Sequence, residues 1–116
     1  MKRTFFFFLA IIMAAGVAYA GGPPDPLTIA TDPGADSFTD DWIAKGHFNI
    51  SISGTFVGTV TVQRSFDMGS NWVTVAQFTD EIETTGYEPA PGGRLWRIGI
   101  LDTDYTSGSV TVRLDK

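Results

Sequence analysis

His47 is the only histidine in this 116-residue chain, and cysteine is absent. A hydrolytic triad, a reactive thiolate or a zinc site is built from those residue types, each oriented by a partner. His47 follows Gly46 at the predicted start of a strand, which suits a strand-edge role. Four aspartates, Asp32, Asp36, Asp40 and Asp41, crowd one turn-rich segment. Calcium takes roughly 6–8 oxygen ligands from such loops, which makes these four weak calcium candidates. The alternating D-x-D-x-D-G spacing is missing, and turn and capping duties account for them equally well. No metal or other cofactor is expected. Thirteen carboxylates could in principle place two at glycosidase separation, but a domain this small has little room for a deep cleft. The chain reads as non-enzymatic.

Aromatic and arginine side chains offer other chemistry. Trp42 and Tyr105 each stand beside turn residues and acids that can hydrogen-bond hydroxyls, so they are the candidate glycan contacts. Trp72 and Trp96 are better assigned to a hairpin and the core. Arg64 is in phase with Val60, Val62 and Phe66 and therefore points toward an apolar face or a strand end. A half-buried arginine needs a carboxylate, and the sequence names none for Arg64 or for Arg97.

These residues must be held by strands. No long segment repeats apolar residues at helical spacing, whereas period-two runs recur between Gly, Pro and Asp. Strands are predicted over 27–30, 47–53 (Phe48, Ile50 and Ile52 on one face), 59–66 (Val60 and Val62 inward; Thr59, Thr61 and Gln63 outward) and 71–79. Three more follow over 81–88, 94–101 (Trp96, Ile98, Ile100) and 109–114 (Val110, Val112, Leu114). The 81–88 segment is charged and ends at Pro89, the marks of an edge strand. About seven short antiparallel strands, with turn signals every ~8–12 residues, predict an all-β fold, a small β-sandwich.

One octapeptide stands out, Ser65-Phe66-Asp67-Met68-Gly69-Ser70-Asn71-Trp72. It resembles the Asp-box pattern S-x-D-x-G-x-x-W of sialidase-like propellers. Aspartate can accept the backbone N–H groups of a turn, glycine relieves the strained position, and the indole folds over the hairpin. Ser65, Asp67, Gly69 and Trp72 are accordingly read as structural, in a tight hairpin joining two central strands. A propeller would need the motif in every blade, and it occurs once. More widely, SGTFVGTVTVQRSFDMGSNW and GGRLWRIGILDTDYTSGSVTVRL resemble small β-domain proteins of tailed bacteriophages and prophages. Met68 stands where a glycine is common there, and Asp102–Asp104 replaces a glycine-containing turn. The resemblance implies a structural or surface role.

The N-terminus departs from that group. Lys2 and Arg3 precede an apolar run over 5–17, and Ala18-Tyr19-Ala20 places small residues where signal peptidase reads them. The run is shorter than the ~18 residues a spanning helix needs. Residues 1–20 are thus a predicted secretory signal peptide, 21–26 a flexible linker and 27–116 the β-sandwich domain. Beyond the leader, six basic residues face thirteen acidic ones, a net charge of −7. That sign, with no Lys/Arg cluster, argues against nucleic acid and anionic membranes as partners. The expected location is secreted, periplasmic or cell-surface, with a virion as an option. The leading functional expectation is a surface or assembly module whose partner is a protein or a second copy. A secreted domain binding a surface glycan is the alternative, and a small glycan hydrolase comes third.

Overall fold

Alternation of apolar and polar residues resolves into nine antiparallel strands in the computed structural model, which describes residues 22–116. The predicted signal peptide and Gly21 lie outside the described residues. In chain order the strands are β1 (Leu27–Ile29), β2 (Ser37–Phe38), β3 (Trp42–Ala44), β4 (Gly46–Gly58), β5 (Val60–Ser65), β6 (Val73–Phe78), β7 (Ile82–Glu88), β8 (Arg94–Ile100) and β9 (Tyr105–Asp115). One sheet has the order β1-β9-β4-β7. The other runs β2-β8-β5-β6, with β3 also pairing β8. The expected β-sandwich is the observed architecture.

Register explains the core. Ile50 lies opposite Leu114 and Ile52 opposite Val112, so β4 and β9 turn their aliphatic residues to the same face. In the second sheet Val62 pairs with Ile98, while Trp96, Ile98 and Ile100 share a face with Val60 and Val62. These residues, with Phe48, Trp42, Ala44, Ile29 and Val110, form one buried cluster. A sheet buried on one side needs this strict period of two, because a one-residue slip would turn the whole set to water. Opposite Phe48 stands Gly86, where any Cβ would collide with the Phe48 ring. The glycine in β7 is there for the aromatic across from it.

The strand prediction is corrected in three places. β2 lies in the turn-rich segment over 32–41 and β3 just after it, where no strand is predicted; both are too short for a period to show. β4 runs on to Gly58 and β9 starts at Tyr105, well beyond the predicted ends. β6 is an edge strand, so the Ser65–Trp72 hairpin joins one interior strand to the sheet's border. The 81–88 segment does form an edge, as β7.

Candidate functional site

Three clusters of polar and aromatic side chains could carry function, and the first lies inside the sandwich. Glu88 shares the inward face of β7 with Ile82, and its residue is 1% exposed. It meets Arg64, which points inward from β5: Nε donates to Oε1 and Nη2 to Oε2, both at 2.6 Å. The Trp96 indole N–H donates to Oε1 at 2.8 Å and the Ala90 backbone N–H to Oε2 at 2.9 Å. Burial alone would push this carboxyl up. The hydrogen bonds from Arg64, Ala90 and Trp96, with the arginine's charge, outweigh burial and hold it at about 2. Both oxygens are committed to donors that favour the ionised form, so Glu88 has no proton to give and no free lone pair to take one. This is a structural clamp between sheets, and it supplies the Arg64 partner that the sequence leaves unnamed.

The second cluster plates the outer face of the β2-β8-β5-β6 sheet. Thr61 and Gln63, expected to face water, are buried there. Arg97 explains why. Its guanidinium lies 4.1 Å from the Phe38 ring centroid and 4.1 Å from that of Trp72, and its Nε and Nη2 both donate to Gln63 Oε1. Burial lowers its pKa, with the charges of Asp41 and Asp36 opposing. Arg97 thus meets a side-chain amide and two rings, in the field of Asp41 and Asp36.

Trp72 reaches that position because its hairpin folds back. Ser65 Oγ donates to Asp67 Oδ1 at 2.9 Å and accepts the Gly69 N–H at 2.8 Å. Asp67 accepts the Asn71 N–H at 2.8 Å and the Asn71 side-chain amide at 2.7 Å. The Asn71 side chain and backbone, then Ser65, lower the Asp67 pKa. Gly69 has φ 93°, in the region that favours glycine, and Met68 has φ 57°. The Ser65 hydroxyl and both Asp67 carboxylate oxygens are thus bonded within the turn.

The third cluster is the solvated face of the β1-β9-β4-β7 sheet. Asn49 donates to Asp115, Ser51 to Glu83, and Thr28 bonds Thr111. His47 stacks on Tyr87 with ring centroids 4.7 Å apart. These cross-strand pairs are the ordinary unit of sheet stabilisation.

The two candidate glycan contacts are placed differently, Trp42 buried and Tyr105 only partly so. Trp42 is 5% exposed, set edge-on against Phe48 in the core. Its pairing with Trp96 in β3–β8 turns the ring inward, so it offers no platform. Tyr105 is half-buried against the core and its hydroxyl donates to the Gly108 carbonyl. Nor do the four aspartates converge. Asp32 accepts from the Gly34 N–H, Asp36 accepts from the Asp102 N–H beside the paired ends of β2 and β8, and Asp41 lies by Gly69. Among the described residues no group of acids and histidines is placed to hold a metal ion.

Among the described residues, exposed apolar side chains gather on one hairpin. Phe66, Met68, Val73 and Val75 are each more than half exposed, and all belong to the β5–β6 hairpin. The sequence holds a sign of it. Val73 pairs with Arg64 and Ala76 with Val62, an odd spacing on one face, because a β-bulge leaves Val75 unpaired. The phase break in Val-Thr-Val-Ala-Gln-Phe is visible beforehand, but not its exposure. Two depressions on the described surface are open to solvent. The larger is lined by Gly58, Thr59, Asp80, Thr103 and Asp104 among others, and holds no histidine or indole.

No family model matches the chain, and no curated protein matches it significantly. Among solved structures it is similar to the Yersinia pseudotuberculosis-derived mitogen (YPM), with a TM-score of 0.51 and 11% identity. The match covers 79% of this chain and 86% of that one. At that identity the likeness is one of fold.

Proposed function

We propose that this domain is a non-enzymatic surface or assembly module, a β-sandwich that presents a broad interaction surface to a protein partner. The observation that carries the reading is the clustering of exposed apolar side chains. Of the large hydrophobic residues exposed among the described residues (Val57, Phe66, Met68, Val73, Val75 and Tyr87), four lie on one hairpin. Single exposed hydrophobics are normal, whereas a contiguous group marks a contact surface. Two further facts support it. The buried acid, Glu88, is saturated with donors, and the two depressions named above are open to solvent rather than enclosed. The resemblance to small phage β-domain proteins favours an assembly role, at a cell surface or on a virion.

Two measurements test this on the full chain as expressed. A photo-cross-linking residue at Met68 should yield defined protein adducts, and the same residue at Ser53 on the opposite sheet should not. A glycan array should stay blank. Binding of one oligosaccharide, abolished by Tyr105→Ala or Tyr87→Ala in a folded protein, overturns the reading in favour of a lectin-like domain.

A further inference from the structure

We infer that β6 is the seat of a second copy of this chain, the two β6 strands pairing antiparallel across a two-fold axis near Val75; this rests on the interaction-module reading above. An inventory of sheet edges leads there. β1 is three residues long and follows Pro24 and Pro26, while β2 and β3 are two and three residues long. β7 is long but carries Glu83 outward and Glu88 inward. Short strands, prolines and charges are the devices by which edges are kept from pairing. β6, Val-Thr-Val-Ala-Gln-Phe, has none of them: six residues, no ionisable side chain and no proline. Its one irregularity is the bulge. Bulges elsewhere help guard an edge by twisting it, but this one is centred on an apolar residue, Val75, that is 51% exposed.

Charge selects the occupant. Residues 21–116 carry six basic and thirteen acidic residues. A basic partner would be drawn to the acidic loops and the β7 edge, and an anionic one would be repelled everywhere. Two acidic copies also repel, so they can approach only along a seam without charge, and β6 is that seam. A second copy brings a strand of identical length and spacing, as a two-fold contact requires. The area suffices for a weak dimer. Phe66, Met68, Val73 and Val75 expose roughly 400 Å² per copy, the size of patch that is often functional. With the paired backbones the total reaches about 1,000 Å², the lower bound for a specific interface.

Sedimentation velocity of the full chain, from about 5 µM to about 500 µM, tests this in the affinity range such an area supports. A monomer–dimer equilibrium is expected, tightening as salt screens the repulsion between copies. Val75→Lys should weaken it at least about tenfold, the factor that ~1.4 kcal/mol represents, with an unchanged melting temperature. Tyr87→Lys, at a site 55% exposed on β7 of the other sheet, should leave it intact. Since the chain has no cysteine, Val75→Cys should give a disulfide-linked dimer on mild oxidation and Glu83→Cys should not. A monomer throughout the range, or a dimer indifferent to Val75→Lys, overturns the inference. If Met68 cross-links only to a different protein, the self-pairing fails while the interaction-module reading survives.

Discussion

Arg64 and Glu88 come from opposite sheets and are joined by two parallel hydrogen bonds of 2.6 Å each. The pair lies near the ends of β5 and β7, with Glu88 directly before Pro89, and Trp96 closes it from the side. A fork of this geometry fixes the spacing and register of two sheets more strictly than aliphatic contacts do. The partners are 24 residues apart in sequence.

The pair makes stability depend on pH. Glu88 has a folded pKa of about 2 against an ordinary 4.5. A depressed carboxylate contributes its full stabilisation above the ordinary value and loses it as pH falls toward the folded one. The contribution, about 3 kcal/mol at neutral pH, should therefore fade between about pH 4.5 and about pH 2. Urea titrations of the native chain and Glu88→Gln should differ by that amount at pH 7 and converge as pH approaches 2. A gap that is constant across the range would show that Glu88 acts by packing alone.

Removing both charges should cost less than removing one. Arg64→Met or Glu88→Leu alone strands a partner and should cost ~3–5 kcal/mol. The double variant frees neither charge, but it still leaves the Trp96 indole N–H and the Ala90 N–H without their acceptor. Recovery should accordingly be partial, with about 1–3 kcal/mol still lost. A double-mutant cycle by chemical denaturation measures the coupling.

Asp67 should prove structural. Asp67→Ala removes the acceptor of the Asn71 backbone and side-chain amides and should lower the melting temperature by several degrees. Amide exchange at Asn71 and Gly69 should quicken while that of β4 and β9 stays unchanged. Because its pKa is lowered, the carboxylate's contribution is present above its ordinary value and is lost as pH falls below it. Normal melting of Asp67→Ala together with loss of partner binding would instead assign the residue to the interface.

Arg97→Lys should be damaging although it keeps the charge. The guanidinium fills a planar slot between Phe38 and Trp72 and donates twice to Gln63 Oε1. A lysine ammonium neither stacks as a plane nor forks. The expected loss is about 1–2 kcal/mol, read from urea denaturation, with a shift in Trp72 fluorescence. Trp72→Ala should approach the same loss, and combining the two should add little, since both break one stack.

Sequence alone determined the strand-rich architecture and much of its core. The alternation in Val60–Val62, Trp96–Ile98–Ile100 and Val110–Val112–Leu114 follows from the two-residue period of a pleated strand, a local property legible in six residues. The β7 edge was equally legible, from its charges and Pro89. Tertiary structure decided whatever depends on two distant segments meeting. Gln63 alternates as an outward residue, yet it is buried because the hairpin carrying Trp72 and the segment carrying Phe38 fold over Arg97. Trp42 sits among turn residues, but a three-residue strand beside β8 turns it into the core. Arg64 announced its need for a carboxylate; thirteen acids were available, and only the stacking of the two sheets brought Glu88 across to meet it.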